Sequence, residues 1–440
     1  MRPRRLSVAP VRVDAVPDLH RATLANGLRV LLAPDPTTPV VGVAVHVDVG
    51  FRSEPEGRTG FAHLFEHLMF QGSESLEKLA HFRHVQGSGG VFNGSTHQDY
   101  TDYFEVLPAA ALERALFLEA DRLRAPTLTE ANLRNQVDVV KEEIRLNVLN
   151  RPYGGFPWIL LPPVLYDTFP NAHNGYGDFV DLESATVADA TDFFDRYYAP
   201  ANAVLTVVGD FDPDEALALV GEHFADIPGR PRPVRPDFTE APLDSERRKS
   251  LPDPLAPVPA VAAGWRVPDP VGSFGDYLPY LVLGEVLSDG DASRLEQRLV
   301  QGDRTVTQLA AYLGLMGDPF DVRDPTAFVL QAHQAPTASA DQVLDAATEE
   351  FDRLATDGLA AGELDRVRAR LLAQVFRDLD PVLGRTQALA AAELVHGRAE
   401  LLAELPGRLA GVTADQVRTA AATLRPDRRA VLEIAPGGAK

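Results

Sequence analysis

His63-Leu64-Phe65-Glu66-His67 places two imidazoles and a carboxylate within five residues, in a segment whose apolar spacing predicts a helix. The order is His-x-x-Glu-His, the inverse of the commoner His-Glu-x-x-His. At 3.6 residues per turn, positions i and i+4 lie one above the other on a helix face. His63 and His67 can therefore reach one metal ion, and Glu66 points to the same side. Two zinc ligands plus a general base for a water molecule is the chemistry this spacing suits. Leu64, Phe65, Leu68 and Met69 supply an apolar flank that anchors such a helix in a core. Two histidines satisfied on a buried helix would give the same five letters, so the pattern needs a third ligand.

A catalytic zinc takes three protein ligands and leaves a fourth position open. The next long helical pattern runs from about Glu130 to Asn150, with Thr129 as N-cap and Pro152 beyond its end. Its core stripe is Leu133, Val137, Val140 and Ile144. Counting about 100° per residue from Val140, Glu143 falls about 60° to one side and Glu142 about 160° away. Glu142 thus faces solvent, whereas Glu143 shares the margin of the buried face with Gln136 and Asn147. Glu143 is the candidate third ligand.

These residues resemble the pitrilysin/insulinase family of zinc metallopeptidases, in its short two-domain branch similar to the mitochondrial processing peptidases. The likeness extends over Gly60-Phe-Ala-His-Leu-Phe-Glu-His-Leu-Met-Phe-Gln-Gly72 and Phe92-Asn93-Gly94-Ser95-Thr96, the latter similar to the family's substrate-pairing edge strand. Leu118-Glu-Ala-Asp-Arg122, Val139-Val140-Lys-Glu-Glu143, Arg151-Pro-Tyr-Gly154 and Tyr198-Ala-Pro-Ala-Asn-Ala203 follow in order. Residues 20–225 carry most of it. The resemblance implies one Zn²⁺ per chain held by His63, His67 and Glu143, Glu66 as general base, and an extended peptide paired along Asn93, Gly94, Ser95 and Thr96. It also implies short or unstructured peptides as substrate.

The chain departs from that pattern twice. Many relatives carry a second glutamate seven residues before the third ligand; here Gln136 stands there, able to hydrogen-bond a ligand. Active relatives also place an Arg and a Tyr in the second half, after a Ser-Arg-Leu-x-x-x-Leu helix similar to Ser293–Leu299. Gln301 and Thr307 occupy those positions. Oxyanion donors are worth about 3–4 kcal/mol of barrier, so a homologous partner subunit, in a homo- or heterodimer, is expected to supply them. The alternative is a non-catalytic, core-type subunit of the same fold, against which the intact His-x-x-Glu-His and Glu143 argue. A zinc hydrolase of small amides would share the ligands without needing the edge strand.

Composition fits a globular chain of more than one core: 440 residues, 45% hydrophobic, 24% charged. With 42 Lys+Arg against 63 Asp+Glu the net charge is −21, which argues against a general nucleic-acid surface. There is no cysteine, so disulfides, thiol nucleophiles and cysteine zinc sites are excluded. No stretch approaches the roughly 18 apolar residues of a membrane span. Met1–Arg5 is basic, but prolines and Asp14 break Ser7–Asp18, so no secretory signal is assigned and the expected location is the cytoplasm.

Asn26-Gly27 between His20–Leu24 and Leu28–Ala33 predicts a hairpin, and Val40–Val49 a strand. A second hairpin is read over Gly90–Leu107, and helices at Glu74–Gln86, Ala109–Leu123, Val187–Tyr198 and Asp212–Phe224. Prolines recur from 228 to 259, predicting a linker. Ala260–Val267 opens a second half with helical patterns at Asp276–Leu287, Ser293–Leu299, Ala340–Asp357, Ala361–Leu379 and Val382–Leu394. Val412–Leu424 and Arg429–Ile434 echo Val187–Val208. The expected fold is α+β: two related domains of antiparallel sheet covered by helices, a half-clamshell. Residues 1–227 form the zinc-binding domain, 228–259 the linker and 260–440 a related domain without metal. Four further histidines carry weaker readings: His81 and His84 on an exposed helix face, His97 against substrate or in a plain loop, and His46 on the solvent side of its strand.

Overall fold

In a computed structural model, which describes residues 18–324 and 326–437, eleven strands form two sheets. The basic run Met1–Arg5 and most of the stretch on which the location was read lie outside the described residues. The strands are β1 (His20–Thr23), β2 (Arg29–Pro34), β3 (Val40–Val47), β4 (Val91–Thr96), β5 (Thr101–Pro108), β6 (Ala203–Gly209), β7 (Arg247–Asp253), β8 (Ala260–Arg266), β9 (Val306–Leu313), β10 (Ala327–Gln334) and β11 (Arg429–Pro436). The first sheet runs β1-β2-β6-β3-β5-β4 and the second β7-β11-β8-β10-β9. In both, one pair is parallel (β2 with β6, β7 with β11) and the rest are antiparallel. Leaving out β1, the two sheets have the same topology strand for strand, so the repeat expected from the echoing segments is a repeat of connectivity.

Helices α1 (Phe61–Leu68), α2 (Ala80–Gly87), α3 (Leu112–Arg124), α4 (Glu130–Ile144) and α5 (Pro162–Leu165) follow in the first half. The buried Glu54 carboxylate accepts from the Gly60 and Ala62 amides (2.8 and 2.7 Å), satisfying donors that open α1. Thr129 accepts from Asn132 N at 3.2 Å and starts α4 as expected. Leu133, Val137, Val140 and Ile144 are buried. The regular helix ends six residues early, in a π turn over Arg145–Leu149. Likewise α2 begins at Ala80 and not at Glu74, because the Asp121 carboxylate holds Ser75 in a turn through its amide (3.0 Å) and hydroxyl (2.9 Å). Residues 247–253, inside the stretch read as linker, form β7; its proline, Pro252, is tolerated because the strand lies at a sheet edge.

Each sheet is covered on one face by an element from the other half. The Val382–His396 helix lies on β3 and β6, where Val382, Leu389, Leu394 and Val395 bury themselves with Leu31, Val204 and Val208. In return α5 packs on the second sheet, Val164 and Leu165 among Ala262, Val329 and Leu432. This cross-covering explains why β3 is buried along nearly its whole length, and it corrects the reading of His46. That ring is 1% exposed and stacks on Tyr100 at 5.1 Å. Burial holds it down to about 4, so it sits neutral in the interface between the halves.

The halves approach tightly at Gly42, where a Cβ would stand 2.3 Å from Thr386 Oγ1 and 3.1 Å from Val382 Cγ1. Gly42→Ala is expected to cost about 1–3 kcal/mol through overpacking. Gly221→Ala, where a Cβ meets open space on a helix, should be neutral or stabilising by up to about 1 kcal/mol. Denaturant melts of the two variants check the contrast.

Candidate metal centre

α1 and α4 pack against each other and bring His63, His67 and Glu143 together. Glu143 Oε2 lies 3.7 Å from His63 Nε2 and 3.5 Å from His67 Nε2. Bonds of about 2.0–2.1 Å to a tetrahedral zinc would separate neighbouring ligand atoms by about 3.3–3.4 Å. The three groups therefore fit one ion with shifts of a few tenths of an ångström, and two imidazoles with one carboxylate are a donor set zinc takes. Glu142 points elsewhere, pairing with Arg145 at 3.1 Å on the exposed side. Gln136, which stands where many relatives carry a glutamate, has its Oε1 3.3 Å from His67 Nδ1, leaving Nε2 of that ring to face Glu143. Burial pushes the His63 imidazole down. Burial also opposes charge on His67, but the neighbouring Glu143 and Glu66 carboxylates outweigh it and raise that ring, while the hydrogen bond to His67 lowers Glu143.

Glu66 stands one turn along α1 against the edge strand β4. Thr96 Oγ1 donates to Glu66 Oε2 at 2.7 Å, and a Cβ on Gly94 would come within 3.0 Å of Glu66 Cγ. The absent side chain at Gly94 thus makes room for the carboxylate. Burial raises the Glu66 carboxyl, against the lowering effect of the Thr96 bond, which suits a group that must pick up a proton near neutrality. Asn93, Gly94, Ser95 and Thr96 are all in β4, whose outer edge pairs with no strand among the described residues. Thr96 and Ser95 have engaged side chains, Ser95 Oγ donating to Asp102 at 2.6 Å, Gly94 has none, and Asn93 is exposed. What β4 can offer an extended peptide is its unpaired main-chain edge.

A second group of three candidate ligands, His81, Glu105 and Glu119, is wholly buried, which corrects the reading of His81 as an exposed helix residue. Phe70, Phe82 and Phe92 enclose this end of α2. Arg122 hydrogen-bonds both oxygens of Glu119, so that carboxylate is committed to an ion pair. Burial lifts Glu105 to about 8 and lowers His81 to about 3. The cluster is a neutral His–Glu contact beside a buried salt bridge. His84, three residues on, is exposed as expected.

Gln301 and Thr307 are exposed, and their hydrogen bonds stay within the second half: Gln301 Nε2 to Asp291 O at 3.1 Å, Thr307 Oγ1 to His333 O at 3.2 Å. The helix that follows β8, Phe274–Ser288, occupies the place that α1 takes after β3 and contains no histidine.

A family model described as insulinase (peptidase family M16) matches residues 29–151, and a second, peptidase M16 inactive domain, matches residues 184–371. The chain belongs to peptidase family M16. This M16 chain is 27% identical to zinc protease PqqE of Helicobacter pylori over 376 residues, 83% of this chain and 81% of that one. The crystal structure of a protease from Helicobacter pylori superimposes with a TM-score of 0.88 at 25% identity, over 96% of this chain and 100% of that one. The periplasmic protease PqqL from Escherichia coli shares the fold (TM-score 0.75, 21% identity); 95% of this chain matches 47% of it. Among the described residues of the M16 chain, both groups of candidate ligands lie in the first half. Two neighbours of the site carried no legible signal: Thr96 as the partner of Glu66, and Tyr176, whose hydroxyl lies 3.3 Å from Glu143 Oε1.

His97 is more than a plain loop residue: Nδ1 lies 3.1 Å from Asp321 and Nε2 3.4 Å from Asp102, tying the end of β4 to the second half. Burial opposes its charge, but the two carboxylates outweigh it and raise the ring to about 10. An unfolded histidine titrates near 6.5. The stability His97 contributes is therefore fully present below about pH 6.5 and lost as pH rises through about 10. His97→Gln should melt at a lower temperature near neutrality, with a gap that narrows toward about pH 10. A gap that stays constant from neutral to alkaline pH would refute the pairing.

Proposed function

We propose that this chain is a zinc-dependent endopeptidase that cleaves short or unstructured peptides together with a homologous partner subunit. The observation that carries the reading is the single Glu143 oxygen lying within 3.7 Å of one imidazole nitrogen and 3.5 Å of the other. His63, His67 and Glu143 would hold the zinc, which when bound supplies a Lewis acid that acidifies water and polarises a carbonyl. The protein's own groups do the rest. An extended peptide adds to the free edge of β4, where main-chain pairing sets its register with little regard to sequence. Glu66 accepts a proton from the attacking water as its oxygen bonds to the scissile carbonyl carbon. As the carbon–nitrogen bond breaks, the same carboxyl returns that proton to the leaving amine. Thr96 keeps Glu66 aimed during both transfers.

No Arg or Tyr stands at 301 or 307, so on this reading the donors for the developing oxyanion come from a subunit of the same fold. The expected location is the cytoplasm, whereas the structural relative PqqL is a periplasmic protease; cell fractionation separates the two.

Glu66→Gln is expected to keep one zinc per chain and lower kcat by about 10²–10⁴-fold, and His67→Ala to lose the metal. Metal analysis beside a quenched-peptide assay reads both, and a fully active Glu66→Gln enzyme ends the proposal. Adding a co-encoded homologue should raise kcat by about 10²-fold or more. Purified monomer that reaches the full rate unaided would refute the partner.

A further inference from the structure

His67 is steadied by Gln136, but the other two candidate ligands have no such partner on α1 or in the regular turns of α4. His63 Nδ1 is buried and makes no hydrogen bond among the described residues. A ligating imidazole ordinarily donates its second N–H to an anchor that fixes the ring, so something else must hold this one. Glu143 ends in a carboxylate whose terminal torsion is broad, and either oxygen could turn toward the imidazoles unless one is tied back.

Tyr176 meets both needs. Its ring packs edge-on against His63, with centroids 5.1 Å apart at 78°, and leans on Trp158 from behind at 5.6 Å. Its hydroxyl donates to Glu143 Oε1 at 3.3 Å, the oxygen that does not face the imidazoles, while Asn147 Nδ2 approaches the same hydroxyl at 3.4 Å. The loop carrying it is fastened to the start of the histidine helix. Asn174 Oδ1 accepts from the Tyr176 and Gly177 amides at 3.0 and 3.1 Å. Thr59 Oγ1 accepts from Asp178 N at 2.9 Å and donates to Asp181 at 2.6 Å. Gly60 and Gly177 both have positive φ (81° and 78°). A Cβ on Gly177 would come within 2.5 Å of Gly60 Cα, and one on Gly60 within 2.5 Å of Tyr176 O. Two glycines let the loop and the helix N-terminus touch backbone to backbone, so Tyr176 and His63 move as one piece.

We infer that Tyr176 is a positioning residue for the metal centre, holding the ring of His63 by edge contact and tying back one oxygen of Glu143 so that the other alone faces the ion. The inference rests on the zinc-site reading above and adds a group that the His-x-x-Glu-His pattern does not contain. Tyr176 works through its neighbours: the hydroxyl serves Glu143 and the ring serves His63, so the two contributions can be removed one at a time.

Tyr176→Phe removes the hydroxyl alone and Tyr176→Ala removes the ring as well. Zinc dissociation constants of the full chain, measured by competition with a chromogenic chelator, are expected to rise by about 10-fold for Tyr176→Phe and about 100-fold for Tyr176→Ala. The melting temperature of metal-free Tyr176→Phe should stay at the wild-type value, because a half-buried hydroxyl adds little to the fold. In cobalt-substituted protein the visible ligand-field bands of Tyr176→Phe should differ from wild type, reporting a Glu143 no longer held by one oxygen. Wild-type zinc affinity and wild-type cobalt bands in both variants would overturn the role of Tyr176 while leaving the zinc reading intact. A wild-type chain that takes up no zinc would overturn both.

Discussion

Everything at this site follows from one oxygen of Glu143 resting between two imidazoles that come from a different helix. A carboxylate and two histidines drawn together out of water are costly to hold unless charge is matched and rings are fixed. The surrounding structure supplies that support in layers. Glu54 caps the start of α1, Phe65 locks its inner face against Phe193, Phe194 and Tyr198, and α4 is set by its Thr129 cap and an apolar stripe. A shift of α4 by one residue would turn its surface by about 100° and take Glu143 out of reach. The same register that buries Val140 therefore fixes the third candidate ligand.

That His63, His67 and Glu143 could share one place was legible in the sequence because it is written in helical periodicity. Two residues four apart must share a face, and Glu143 could be told from Glu142 by its angle to Val140. The β1–β2 hairpin and the valine-rich β3 were legible for similar local reasons. What could not be read depends on chain segments far away. His46 looked solvent-facing because strand alternation assumes one wet side, and the helix that dries that side begins more than 300 residues later. His81 looked exposed on a charged helix, yet Glu105 and Arg122 arrive from β5 and α3 to enclose it. Thr96 was legible as part of an edge strand but not as the partner of Glu66, since that bond depends on how closely β4 approaches α1 across Gly94.

The second half keeps the connectivity of the first without its histidine pair. Its sheet repeats the strand order and the single parallel pair of the first. The helix Phe274–Ser288, which stands where α1 stands, carries Val282, Leu283, Val286 and Leu287 into the core and no imidazole. Packing requirements alone preserve such a helix. Nothing in the sheet demands a ligand there.

The exchange of covering elements between the sheets bears on how the molecule can move. Val382–His396 clasps the first sheet and α5 clasps the second, each burying leucines and valines across the boundary. A long proline-rich connection would ordinarily invite a hinge. Here, swinging the halves apart would bare two apolar faces at once, a penalty that thermal motion does not meet. The two halves are therefore pinned to each other twice, each by a cover the other lends it.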